Sequence, residues 1–375
     1  ICIPDSFKGT MSSSQVCDIM ESAIHKHIPD CDVIKIQVAD GGEGSVDAFL
    51  AAVGGTKVFT VVNNPYFEKM EAFYAILDGN VAIVEMAAAA GLPLVSDRAN
   101  PELTTTYGVG ELIVHAARSG CKKIIVGLGG SSTNDGGCGA AAAIGVRFLD
   151  GLGNSFVPTG KTLINIEQID VSGVDPILHD VEIISMCDID NPMFGERGAA
   201  YVFGPQKGAD SHMVTRLDDG LRHLANKIAE ACNADVSTVA GGGAAGAMGA
   251  GMVAFFNSQL KMGIETILDL VEFDHLISNA DMIFTGEGKI DEQSLSGKVP
   301  IGVARRAKQA HVPVIAVVGS IGSGFEDAYD QGITAVFSIN SEPVDFTIAK
   351  TRSTENLALA MDNIMRLLIS RTRHR

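Results

Sequence analysis

Apolar positions alternate between strand-like runs and helical spacing along this chain. Residues 1–4 form a short apolar run ending in proline, and Ser12-x-x-Gln15 then makes the capping box of a helix start. Behind it, Val16, Ile19, Met20, Ala23 and Ile24 fall on one helical face. The run 33–38 follows at once, so the opening predicts a β-α-β unit whose parallel strands are joined by a right-handed crossover. The same rhythm returns in the runs 282–284, 314–318 and 335–339, separated by helical stretches such as 301–310.

Neither terminal segment alone can supply a full sheet. Residues 1–62 and 280–375 are therefore expected to form one discontinuous, doubly wound, flavodoxin-like α/β domain with five parallel strands. Residues 63–279 carry strand-like runs at 81–85, 123–127 and 181–186 with glycine-rich turns, and are expected to be a second α/β domain inserted in the first. The rival division is two consecutive domains cut near 175–220.

Composition narrows the class. Hydrophobic residues are 46% and charged residues 19% of 375, enough apolar surface for large cores. Asp and Glu outnumber Lys and Arg by 45 to 28, a net charge of −17, so no general basic field invites nucleic acid or anionic lipid. An anionic substrate must find a local positive pocket instead. The seven cysteines lie far apart and odd in number, which argues against a disulfide framework or zinc site and for a cytoplasmic protein. Apolar runs stay well below the ~18 residues of a membrane span. The chain opens at Ile1 without a methionine, which predicts that a few residues precede it.

The 42 glycines cluster rather than spread. Residues 127–139 follow the strand-like 123–126 and precede a helix-like alanine run, an order that suits phosphate binding. Amides at a helix start attract an anion, and Gly129, Gly130, Ser131, Ser132, Thr133 and Asn134 would cradle it, with Asp135 able to hold a metal. The plain alternative is a tight turn packed on another backbone. Gly241-x-Gly243-x-x-Gly246, with Glu265 about 20 residues on, formally matches a dinucleotide fingerprint, but no hydrophobic strand precedes it. A phosphate loop and a closely packed small-residue helix account for it equally well.

Four further clusters each follow an apolar run, where strand ends line the crevice of an open α/β sheet. They are Asp5-Ser6-Phe7-Lys8-Gly9, Asp40-Gly41-Gly42-Glu43-Gly44, Asp188-Ile189-Asp190-Asn191-Pro192 and Gly286-Glu287-Gly288-Lys289-Ile290-Asp291. Any one alone is an ordinary acidic turn. Lys207, with glycines at 204 and 208, adds a cation. Phosphoryl transfer needs amides and lysines around phosphates, carboxylates for Mg²⁺, and a carboxylate to take the hydroxyl proton. The chain offers each part.

These motifs carry a resemblance to bacterial glycerate kinases of the glyoxylate and galactarate pathways. The matching stretches are PDSFKG at 4–9, ADGGEG at 39–44, GLGGSSTNDGG at 127–137, CDIDNP at 187–192, FGPQKGA at 203–209, GAAGAMG at 243–249 and TGEGKIDEQS at 285–294. Departures are small: Ser132 stands where alanine is common, and Gly241-Gly242 replace a proline-containing lead-in. The resemblance implies ATP-dependent phosphorylation of D-glycerate to 2-phosphoglycerate, two α/β domains with one inserted in the other, and a site in the cleft between them.

On that reading Asp188 or Asp190 is the base or a metal ligand, with Lys8 beside them in catalysis. Asp135, Glu287 and Asp291 are the expected Mg²⁺ ligands. Asp5, Ser6, Asp40, Lys207 and Lys289, with Gly243, Gly246 and the 127–137 loop, are expected to bind phosphate or substrate. The rival readings are an NAD-dependent hydroxy-acid dehydrogenase, resting on Gly241 to Gly246 alone, and a nucleotide- or glycerate-sensing protein without turnover.

Overall fold

The computed structural model describes residues 1–38, 42 and 44–372, and the chain divides into two compact units. Unit 1 is Ile1–Ala39 with Ile264–Arg375, and unit 2 is Asp40–Gly263. These bounds differ from the expected 62/63 and 279/280. The strand Thr56–Asn63 pairs with Lys69–Leu77 along its whole length, and helix Ser45–Val53 packs on the same sheet, so both belong to unit 2. At the other boundary, Arg306 binds Glu265 at 2.8 Å and also pairs with Asp269, which ties helix Gly263–Leu270 to unit 1.

In unit 1 the strands Ile283–Thr285, Val314–Val318 and Ile333–Ser338 form a parallel sheet. The opening residues join it by single bridges. Cys2 pairs in parallel with Phe284 on one side and Lys35 on the other, through Ile3 N–H to the Phe284 carbonyl and Cys2 N–H to the Ile34 carbonyl, both 2.8 Å. Five segments thus lie side by side where five strands were expected, two of them bridged rather than fully laddered.

Helix Ser13–His27 starts where the capping box predicts. The Gln15 amide donates to the Ser12 hydroxyl at 3.2 Å, and the Ser12 amide donates to the Gln15 side chain at 2.9 Å. Its buried Val16, Cys17, Met20 and Ile24 share a core with Ile315, Val317 and helix Ser353–Thr372. Val314, Ala316 and Val318 alternate to the opposite side of their strand and are also buried. Helix Val299–Gln309 packs against the same three strands.

Unit 2 is built on a six-stranded sheet in the order Thr56–Asn63, Lys69–Leu77, Val81–Glu85, Lys123–Gly127, Glu182–Met186, Gln259–Lys261. The first three strands run as an antiparallel meander and the last four are mutually parallel. Val84, Val126, Leu112 and Ile113 sit in one large core with helices Tyr107–Arg118, Ser211–Cys232 and Ala244–Phe256. A small antiparallel sheet of Arg147–Leu149, Ser155–Phe156 and Gln168–Asp170 stands apart from it. Among the described residues no helix is long and apolar enough to cross a membrane.

Candidate active site

In unit 1, chain segments leaving the carboxyl ends of the parallel strands enclose a cavity of about 440 Å³. Such strand ends are where open α/β sheets place ligands, because the loops there diverge and leave a crevice. Asp5, Ser6 and Lys8 come from the first loop and Glu287 and Lys289 from the loop after Ile283–Thr285, so five of the expected residues meet here. Sequence reasoning missed Lys298, Ser320, Asn340, Lys350 and Ser353, which line the same cavity. Asn340 closely follows the strand Ile333–Ser338 and the strand-end rule could have found it. Lys298 and Lys350 carry no such signal.

Gly286 shows why this loop is rich in glycine. A Cβ there would stand 2.1 Å from the Val317 carbonyl oxygen, so any side chain would force the neighbouring strand ends apart.

Glu287 is 5% exposed, and its Oε1 is buried without a hydrogen-bond partner. Burial pushes its carboxyl up to about 7, helped by Asp5 and Asp291, while the Ser294 hydroxyl and Lys298 pull it down. Asp291 behaves differently. Lys289 binds it at 2.9 Å and holds it below the usual carboxylate range, and it caps the turn Glu292–Ser296 by accepting from the Gln293 amide at 3.1 Å.

In unit 2 the 127–137 loop turns inward. Ser131 through Asp135 are all buried, Asp135 fully. The Ser132 hydroxyl donates to the Ala90 carbonyl and Thr104 donates to the Ser132 carbonyl, each at 2.9 Å. The Lys207 ammonium, only 2% exposed, donates to the Ser131 hydroxyl and the Thr133 carbonyl. Burial pushes this lysine down to about 7, opposed by the charge of Asp135. Only Gly130 is exposed and Gly129 half-buried at the loop's start. Thr133 Oγ1 and the Asn134 amide group are buried without partners.

Asp135 is not the open metal ligand expected. Its carboxylate accepts from Thr106 N at 2.7 Å, Thr106 Oγ1 at 2.8 Å, Gly137 N at 3.1 Å and Gly139 N at 3.2 Å. Burial raises its pKa and these four donors oppose the rise. With Asp291 engaged by Lys289 and Asp135 enclosed by its own loop, the three expected ligands make no metal cage. Among the described residues no group of three His, Cys, Asp or Glu side chains could hold a metal.

Gly243 and Gly246 also have structural work. A Cβ on Gly243 would lie 2.3 Å from the Pro192 carbonyl oxygen, and one on Gly246 would lie 1.9 Å from that of Thr133. Ala245, Gly246 and Ala247 are all left-handed, with φ of 55°, 66° and 67°, a conformation that costs an alanine about 1–2 kcal/mol. The segment folds back on the 127–137 loop, where the Gly136 amide donates to the Gly246 carbonyl at 3.0 Å. No strand feeds it, so it lacks the strand-turn-helix arrangement of a dinucleotide site.

Asp188 and Asp190 follow the strand Glu182–Met186 as expected. The Asp188 carboxylate accepts the Gly263 amide at 2.7 Å. Asp190 is 77% exposed and pairs at 3.2 Å with Arg197, itself 71% exposed. Asp40 lies outside the described residues.

A lysine-lined pocket at the carboxyl ends of parallel strands, in a protein of α/β units, is what a kinase acting on small anions requires. Comparison with known proteins makes the class definite: the chain is a kinase. It belongs to the glycerate kinase family, whose model matches residues 1–369. It is 45% identical to a glycerate kinase of Bacillus cereus, over 96% of this chain and 95% of that one. It is 42% identical to the glycerate 2-kinase of Escherichia coli K12, over 97% and 96%. A crystal structure described as a glycerate kinase 2 of Salmonella typhimurium LT2 superposes with a TM-score of 0.85 at 41% identity, covering 99% of this chain and 98% of its own. The resemblance carried by the seven motifs therefore stands.

Proposed function

We propose that the protein transfers the γ-phosphoryl group of ATP to a hydroxyl of D-glycerate, giving 2-phosphoglycerate, in the unit 1 cavity. One observation carries this reading. In a chain of net charge −17, Lys8, Lys289, Lys298 and Lys350 line one cavity against Asp5 and Glu287. A local excess of ammonium groups is what a triphosphate and a hydroxy-acid carboxylate need to meet without repulsion. Ser6, Ser320 and Asn340 add hydrogen-bonding groups for the acceptor's hydroxyls. The 2-phosphate product is supported by the name of the Escherichia coli relative.

Dependence on magnesium is part of the proposal: the ion would arrive with the nucleotide and help neutralise the charge of its phosphates. Among the described residues no group of three ligating side chains is set to hold it, and no step is assigned to it. The doubly wound, flavodoxin-like character of unit 1 is supported by the lateral order of its five segments, around Lys35, Cys2, Phe284, Ile315 and Ala335. A cytoplasmic location is supported by seven unpaired cysteines.

ADP release coupled to a colour reaction tests the assignment, with D-glycerate against L-lactate and phosphorus NMR of the product. Glycerate should turn over and lactate should not, because a site built for two hydroxyls leaves polar groups unpaired when one is missing. Comparable rates with lactate would sink the substrate. A 3-phosphate product would sink the regiochemistry alone.

A further inference from the structure

Transfer of a phosphoryl group to an alcohol releases a proton, and a kinase active site commonly holds a carboxylate to receive it. The carboxylates near the cavity and at the expected strand end differ in what already occupies them. Asp5 Oδ1 accepts the Ser6 amide at 2.6 Å, and Asp291 is bound by Lys289. In unit 2, Asp188 accepts the Gly263 amide and Asp190 lies out on the surface with Arg197. Among the described residues Glu287 alone combines near-complete burial, a place on the cavity wall and an oxygen with no partner. An acceptor left unmade in a buried place is costly unless a ligand completes it. It is also held in place, since its carbonyl accepts the Gly319 amide at 3.1 Å.

The geometry points to Glu287 as the general base that accepts the proton of the glycerate hydroxyl, an inference that rests on the unit 1 cavity being the phosphorylation site. In that step the hydroxyl proton passes to Glu287 Oε1 as the freed oxygen lone pair forms the new bond to the γ-phosphorus. The bond from that phosphorus to its bridging oxygen breaks, and its electron pair leaves with ADP. The proton then passes from Glu287 to water. The charge environment suits the role. Burial holds the carboxyl near 7, Asp5 and Asp291 add to the rise, and Ser294 and Lys298 limit it. Lys8 and Lys289 border the same cavity. A base poised close to the working pH is the most effective one.

Glu287→Gln tests this directly, because it keeps size and burial while removing the basic oxygen. The expected result is a fall in kcat of about 10²–10⁴-fold with both KM values nearly unchanged. Calorimetry should show ATP and D-glycerate still bound. Wild-type kcat should rise along an acid limb near pH 7 that the variant's residual rate lacks. A variant kcat within fivefold of wild type would overturn the assignment, as would recovery of the lost rate on raising magnesium. Should the glutamine variant fail to fold, the wild-type profile and Glu287→Asp decide: a kcat flat from about pH 5.5 to 8.5, or an Asp variant no slower than wild type, overturns it. The underlying reading fails separately, in a wild-type protein that releases no ADP with glycerate.

Discussion

The Lys207 ammonium donates to the Ser131 hydroxyl and to the Thr133 carbonyl, each at 2.7 Å, and so tethers a loop 74 to 76 positions away in sequence. A lysine that looks like a phosphate ligand between two glycines is thereby a strut of unit 2. Lys207→Ala should cost about 2–4 kcal/mol in urea unfolding, from two orphaned acceptors and the space left behind. An unfolding midpoint equal to that of wild type would show that the strut carries nothing.

The same lysine gives stability an unusual pH dependence. Its folded pKa is about 7 against 10.5 for the ordinary group, so between those values the unfolded chain binds more protons than the folded one. Stability from this group therefore rises with pH across the window. The cost of burying the charge is fully present below pH 7 and relieved as pH climbs toward 10.5. Lys207→Met should remove a slope of up to about 1.4 kcal/mol per pH unit between pH 7.5 and 9, read from urea titrations of both proteins. Parallel profiles for the two would rule the effect out.

Asp190 and its partner Arg197 are both mostly exposed, which makes their pairing worth little. Asp190→Asn should leave both kcat and melting temperature within error of wild type. Asp188→Asn should do nearly the same, since its amide oxygen can still accept the Gly263 N–H. A hundredfold loss of kcat at either position would return the pair to the mechanism.

Lys8 is exposed on the wall of the unit 1 cavity, and Lys298 is half-buried beside Glu287. Replacing either by alanine should lower kcat/KM for ATP or glycerate by about 10–100-fold, the scale of one charge-assisted contact, with melting temperature little changed. Steady-state kinetics at fixed ionic strength would show it. Normal constants for both variants would move the anion site elsewhere.

What the sequence revealed was local. Alternation and the Ser12-Gln15 box located the first helix, and the rule of chemistry at strand ends found Asp5, Lys8, Glu287 and Lys289. Lys298 and Lys350 escaped because a lysine outside a glycine turn looks like any solvated lysine; only the fold brings them to the wall. The 127–137 loop is hard to read from sequence for a different reason. Glycines, hydroxyls and an acid serve equally to bind a phosphate or to satisfy one another in an interior. Thr106 and Lys207, which occupy Asp135 and Ser131 in the folded chain, arrive from distant elements. The unit bounds differ from the expected 62 and 280 because the strand Thr56–Asn63 ladders with Lys69–Leu77 and Arg306 holds Glu265, pairings that no local pattern displays.

The pairing of Cys2 with Phe284 also bears on how the chain is made. The amino-terminal segment finds its neighbour 282 residues later, after the whole of Asp40–Gly263 has been synthesised. At ~5–20 residues per second, that interval is on the order of 15–55 s. Throughout it, the apolar face of Val16, Met20 and Ile24 lacks Ile315, Val317 and Met361, the side chains that cover it in the finished protein. The nascent chain thus carries an exposed apolar helix while its middle is free to fold. Chaperone demand during translation should peak in that interval and fall once the strand Val314–Val318 has left the ribosome.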